Sequence, residues 1–158
     1  MGIAFRKVKN EDYGEFHALM DAYYRGGEDK DTPQDVVDSF IRMLFDKAVG
    51  ETIQGCLAIA EQPVGFALWM VDQEGADFSE LPGYGTILEI GVTEAHRKSG
   101  IGAQLVAHCE ADVRERGAKW AYVCAYGPAQ EFWRKCGYVE SGSTASNGLP
   151  ILIKQIDA

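Results

Sequence analysis

Apolar residues along this chain switch between two periods, and each switch predicts a change of element. In "IAFRKVK", Ile3, Phe5 and Val8 mark a first β-strand. From Asn10 onward Phe16, Leu19, Met20, Tyr23 and Tyr24 recur at helix spacing, which predicts a helix with one apolar face. The polar run "RGGEDKD" ends it. Thr32 and Pro33 then read as a cap and a first-turn proline, and Asp35 sits in the first turn. The stripe that follows is Val36, Val37, Phe40, Ile41, Leu44 and Phe45.

The middle of the chain is more continuously apolar. "GCLAIAEQPVGFALWMVD" is two apolar runs divided by Glu61-Gln62-Pro63, a predicted hairpin. "DFSELPGYG" reads as loop, and "TILEIGVT" as a buried strand ending near Thr93. Ile101, Leu105, Cys109 and Val113 then repeat every four residues, with Arg114, Arg116 and Gly117 closing the helix. "WAYVCAY" is a strand, Pro128 opens a short helix through Phe132 and Trp133 that stops at Gly137, and "LPILIKQI" is a last strand. This order predicts a largely antiparallel sheet flanked by helices. It includes at least one strand–helix–strand crossover, from Thr86 to Tyr126.

Composition narrows the class. A chain of 158 residues with 46% hydrophobic content reads as a single domain, residues 1–158, that buries its own core without metal or disulfide staples. Cys56, Cys109, Cys124 and Cys136 show no C-x-x-C pairing and read as reduced, mostly buried thiols. No apolar run approaches a membrane span, and the N-terminus carries no signal-peptide core and no myristoylation signal. The expectation is a cytoplasmic protein without a membrane partner. A net charge of −9 argues against nucleic acid and is compatible with a cationic partner such as an amine.

One stretch does not fit ordinary helix chemistry. "AHRKSGIGAQL" places Gly100 and Gly102 where a helix begins, although glycine inside a helix costs about 0.5–1 kcal/mol relative to alanine. A helix N-terminus presents unpaired N–H groups and a partial positive charge, and glycine lets that backbone approach a phosphate. Arg97 and Lys98 add donors and charge there, so the stretch reads as a pyrophosphate cradle; a plain glycine turn is the alternative. A dinucleotide fingerprint fits less well, because Leu105 stands where its third glycine would fall. A P-loop needs Gly-Lys-Ser/Thr where this chain has Ile101-Gly102-Ala103.

Arg97-Lys98-Ser99-Gly100-Ile101-Gly102 matches the Arg/Gln-x-x-Gly-x-Gly/Ala motif of the GNAT superfamily of N-acetyltransferases. "ILEIGVTEAHRKSGIGAQL" resembles the whole family segment around that motif. "AQEFWRKCGYV", with Gly137-Tyr138, resembles the family's later helix and Gly-aromatic pair. The resemblance implies an α/β (α+β) fold with a central mixed, mostly antiparallel sheet of six to seven strands and about four helices. It also implies acetyl-CoA as co-substrate and a small-molecule or peptide amine as acceptor, and it is compatible with a homodimer. N–H groups from Lys98 through Ser99, Gly100, Ile101 and Gly102 to Ala103 would hold the pyrophosphate, with Arg97 alongside. The main chain of Val92 and Thr93 would pair with the pantetheine arm. Gly91 marks either a bulge that opens the strands or a close-packing contact.

Chemistry needs a base, since an amine with a pKa of roughly 10 is charged at neutral pH. Glu89, on one strand face with Ile87 and Gly91, is the candidate; a salt-bridged or solvent-facing glutamate accounts for it too. His96 is a weaker candidate, and His108 reads as solvated. The family's tyrosine acid falls at Trp133 here, and a frequent asparagine falls at Tyr126. Tyr126 or Tyr138 would then supply the proton, or the thiolate would leave unassisted. Trp133 is placed with the cofactor. Tyr23, Tyr24, Glu28, Asp29 and Asp31 lie where an acceptor is expected. A domain that keeps the CoA cleft without turnover, as a sensor or scaffold, is the alternative function.

Overall fold

A computed structural model of the chain describes residues 2–27 and 29–157. Among these, β1 (Ala4–Lys7) leads to α1 (Tyr13–Arg25) and α2 (Gln34–Val49). The strands β2 (Gln54–Ile59), β3 (Pro63–Val71) and β4 (Gly85–Val92) follow. Then come α3 (Ile101–Glu115), β5 (Trp120–Cys124), α4 (Gln130–Lys135), β6 (Val139–Thr144) and β7 (Pro150–Gln155). The seven strands form one sheet in the order β1-β2-β3-β4-β5-β7-β6. β1 and β2, β5 and β7, and β6 and β7 pair antiparallel, while β4 and β5 run parallel. The parallel pair is joined through α3, the crossover that the apolar pattern places there.

The chain divides into two compact units. One holds the residues up to Leu68 together with Glu89–Leu105, and the other holds Trp69–Leu88 together with the chain from Val106 on. In the first unit α1 buries Phe16, Met20 and Tyr24, one residue per turn, and α2 buries Val37, Ile41, Leu44, Phe45 and Ala48. Phe16 meets Phe45 at 5.3 Å and Phe66 at 6.1 Å between ring centroids. Fully burying such a ring contributes about 1.5–3 kcal/mol. The buried stripe of α2 runs one position later than the sequence pattern suggests. Val36 is 52% exposed and Phe40 is 36% exposed, while Val37 and Ile41 are the pair packed inward.

The second unit holds two buried carboxylates that the periodicity does not announce. Asp72 accepts from the Tyr122 hydroxyl at 2.7 Å and from the backbone N–H groups of Glu80 and Leu81 at 2.9 and 2.8 Å. It thereby fastens the loop before β4. Glu110 on α3 accepts from the Tyr138 hydroxyl at 2.9 Å and from the Lys154 ammonium at 3.0 Å. Buried charges persist when paired in this way.

Candidate functional site

In the first unit, β4 hands the chain to α3 through residues 93–100. A 3-10 turn, Glu94–His96, is fastened by a 3.0 Å hydrogen bond between Thr93 Oγ1 and His96 Nδ1. The Ser99 hydroxyl donates to the His96 carbonyl, and Arg97 Nε donates to the Val92 carbonyl at 3.1 Å. Two residues then take left-handed backbone, Lys98 at φ 64° and Gly100 at φ 86°. For a residue with a β-carbon this conformation costs about 1–2 kcal/mol. A side chain at Gly100 would meet open space, so the backbone angle, and not crowding, is what requires glycine there. Lys98 carries the same strain with a side chain, held by the contacts on either side of it.

The outcome is an exposed helix start. Gln104 N–H reaches back 3.1 Å to the Gly100 carbonyl, so the N–H groups of Ile101, Gly102 and Ala103 lie ahead of the helical ladder. Arg97, Lys98, Ser99 and Gly100 are exposed, and the Ile101 side chain is buried. A positive backbone end flanked by two cationic side chains suits a multiply charged anion. An open cavity of about 560 Å³ adjoins the loop, lined by Ala60, Glu61, Gln62, His96, Ser99 and Gln104 among others.

The two strand-end residues differ in what they can offer a ligand. Thr93 N–H is bonded to the Val64 carbonyl of β3 at 2.8 Å. Successive strand residues present their main-chain groups to opposite neighbours, so Val92 faces the other edge of β4. There its carbonyl receives Arg97 Nε. The expectation that Thr93 and Val92 both pair with a pantetheine arm therefore narrows to Val92.

Glu89 is half-buried on β4, and its Oε2 is closed off from solvent. On the same strand face a β-carbon on Gly91 would lie 2.6 Å from the Phe66 ring and 3.1 Å from that of Tyr23. Of the two readings of Gly91, close packing is the one this contact supports. Tyr24 is only 6% exposed, and its hydroxyl is buried. Burial, and then the negative charge of the neighbouring Glu89, push the Tyr24 phenol far above its ordinary range, so it keeps its proton. Asp29 is half-buried and Asp31 exposed, whereas Glu28 lies outside the described residues.

The remaining predicted residues belong to the second unit, and two are corrected there. Tyr138 is 1% exposed and its hydroxyl is committed to Glu110; burial, then the charge of Glu110, drives its pKa strongly upward. It cannot serve as a proton donor to a ligand. Trp133 is 5% exposed and stacks edge-on against Tyr138 at 5.3 Å, so its indole fills the interior and does not line a cofactor site. Tyr126, just beyond β5, is 39% exposed. His108 is packed edge-on against Trp69 at 5.6 Å, where the sequence suggests solvation. All four cysteines are free thiols, and burial pushes Cys56 up to about 12 and Cys124 up to about 11, which makes them poor nucleophiles.

Sequence reasoning missed the burial of the Tyr24 hydroxyl beside Glu89 and the carboxylates of Asp72 and Glu110. The signal for the last two was present, an acid closing the apolar run "GFALWMVD" and another beside Cys109 in "AHCEADV".

Known proteins bear on this geometry. Over 98% of its length the chain superposes on a PaiA N-acetyltransferase from Thermoplasma acidophilum crystallised with coenzyme A. The TM-score is 0.75, the identity 16%, and 99% of that chain is covered. A GNAT-family acetyltransferase from Staphylococcus aureus Mu50 gives a TM-score of 0.76 at 14% identity, covering 98% of this chain and 99% of that one. A GNAT-family acetyltransferase from Brucella melitensis, in complex with acetyl-CoA, gives 0.68 at 16% identity, covering 98% and 88%. No curated protein sequence matches the chain. The family model described as acetyltransferase (GNAT) domain matches residues 53–140, more than half of the 158 residues, and the chain therefore belongs to the GNAT acetyltransferases.

Proposed function

We propose that this protein transfers an acetyl group from acetyl-CoA to a primary amine by direct attack while both are bound. The observation that carries this reading is the exposed start of α3, where left-handed Lys98 and Gly100 lead into the helix and the N–H groups of Ile101, Gly102 and Ala103 lie ahead of its hydrogen-bond ladder. These groups, with Arg97 and Lys98, hold the pyrophosphate, and the Val92 main chain orients the arm that follows. Acetyl-CoA supplies an activated thioester carbonyl. Glu89 takes a proton from the incoming ammonium, so that nitrogen arrives with a free lone pair. Tyr126, with its exposed phenol, is the candidate donor to the departing thiolate, which at a thiol pKa of roughly 8.5 also leaves unaided at alkaline pH.

Thermal melts with acetyl-CoA, ATP and NAD test the reading. Ligand at a hundred times its dissociation constant adds about 2.7 kcal/mol, a rise of about 5–10 °C for a domain of this size. The rise is expected with acetyl-CoA alone and is expected to vanish in Gly100→Glu, which puts a negative charge at the cradle. A larger shift with a nucleotide would sink the assignment. The burial of Tyr138 and Trp133 favours one second reading, a CoA-binding module without turnover. That module would show the same melt and no acetylation of any amine.

A further inference from the structure

We propose that Arg97 is a latch: it keeps the Val92 carbonyl closed to the pantetheine arm until a pyrophosphate draws the guanidinium away, so that the site selects CoA over thioesters that carry the arm alone. The inference rests on the reading of the site given above. β4 pairs with β5 at Gly85 and Thr86, near its start, and Val92 lies well past both. Thr93 N–H is taken by the Val64 carbonyl on the β3 side, so the Val92 carbonyl is the acceptor that the strand end turns to the opposite edge. Arg97 Nε holds that acceptor at 3.1 Å.

The present occupant is a stronger donor than the arm that would replace it. A charged N–H gives a hydrogen bond roughly twice as strong as a neutral amide N–H does. An arm that offers only its amides therefore displaces Arg97 at a loss. Phosphate reverses the balance. Arg97 is exposed, and among the described residues no carboxylate pairs with it. A guanidinium held only by a neutral carbonyl exchanges it readily for charged phosphate oxygens, which its planar fork meets two at a time. The backbone around it need not move. The Thr93–His96 hydrogen bond at 3.0 Å and left-handed Lys98 fix the turn on either side, so the exchange is a swing of one side chain. The pull that fastens the phosphate end thus frees the acceptor for the arm, and the two halves of the ligand help each other to bind.

Isothermal titration with the ligand in two halves reads this coupling without turnover. Pantetheine, the arm without phosphate, is titrated into the wild type with and without saturating inorganic pyrophosphate. Pyrophosphate is expected to tighten pantetheine about tenfold, the change that about one hydrogen bond carries, and pantetheine to tighten pyrophosphate by the same factor. Arg97→Met keeps the stem and removes the donor; Arg97→Ala serves if the methionine variant does not fold. The variant is expected to bind pantetheine as tightly alone as the wild type does with pyrophosphate, to gain nothing when pyrophosphate is added, and to bind CoA more weakly than the wild type. No gain in the wild type overturns the inference. A gain that persists in the variant, or a variant that binds pantetheine no better than the unassisted wild type, makes Arg97 a plain phosphate contact and overturns it as well. Failure of CoA to bind the wild type, measured first, overturns the underlying reading and the latch with it.

Discussion

Three tyrosine–carboxylate pairs stand in this molecule, Tyr122 with Asp72, Tyr138 with Glu110 and Tyr24 with Glu89, and the last two are built to opposite ends. In the second unit Tyr138 donates to Glu110 at 2.9 Å and the Lys154 ammonium completes the carboxylate at 3.0 and 3.1 Å. Every strong donor and acceptor there is matched, so the trio ties α3 to the segment after α4 and to β7 and offers nothing to a ligand. In the first unit Tyr24 is buried beside Glu89, whose Oε2 is closed off from solvent. The residue types are the same, and the difference is placement. The closed network specifies structure, while the Glu89 pair stands on the strand that runs into the exposed start of α3.

The largest expected effect breaks the closed network. Glu110→Ala leaves the Tyr138 hydroxyl buried without an acceptor and Lys154 without its counter-charge, and is expected to cost about 3 kcal/mol in urea unfolding. Tyr24→Phe should cost less by the same measurement, about 0.5–1.5 kcal/mol, since it removes one neutral hydroxyl and separates no buried ion pair. If both variants unfold alike, the contrast between the pairs is wrong.

A middle-sized effect compares two glycines. A β-carbon on Gly85 would lie 2.5 Å from Val113, and one on Gly91 would lie 2.6 Å from Phe66. Either alanine variant overpacks and is expected to lose about 1–3 kcal/mol. Gly91→Ala alone should raise the KM for the amine, because it displaces Phe66 and Tyr23. Steady-state kinetics on both variants would show whether the β4 surface beside Glu89 serves the acceptor.

The smallest effect is a shared response to alkali. Tyr24, Tyr122 and Tyr138 have their phenol pKa values raised by burial above the unfolded value of roughly 10. Above that pH the unfolded chain gives up protons that the folded chain keeps. Their contribution is therefore complete below about pH 10 and falls as pH rises through the folded values. Cys56 and Cys124, pushed up to about 12 and about 11, begin the decline near the unfolded thiol value of roughly 8.5. Urea midpoints between pH 8 and 11 should fall steadily, and less steeply in both Tyr24→Phe and Tyr138→Phe. Of the two, Tyr138→Phe should be the weaker at pH 7.

Much of the fold is legible in the chain because its elements follow local periodicity. Phe16, Met20 and Tyr24 announce α1, and Ile101, Leu105, Cys109 and Val113 announce α3. The edges of those stripes are not legible. Val36 and Phe40 look as apolar as Val37 and Ile41, and only the packing of α2 decides which pair faces inward. The loop before α3 is readable as well, since its motif is contiguous and its glycine at position 100 answers to a backbone angle.

Site chemistry assembled from distant positions is another matter. Tyr126, Trp133 and Tyr138 carry similar promise as letters, yet burial removes the last two from any reaction and leaves the first in solvent. Nothing in the sequence pairs Tyr138 with Glu110 across 28 positions, or sets Tyr24 beside Glu89. The sequence by itself determined the elements, the crossover and the anion-binding turn, because each depends on neighbours a few residues apart. Tertiary structure decided which tyrosine is spent, which is exposed and why Gly91 has no side chain, because hydrogen-bond completion and close packing depend on what the fold brings to a residue from far along the chain.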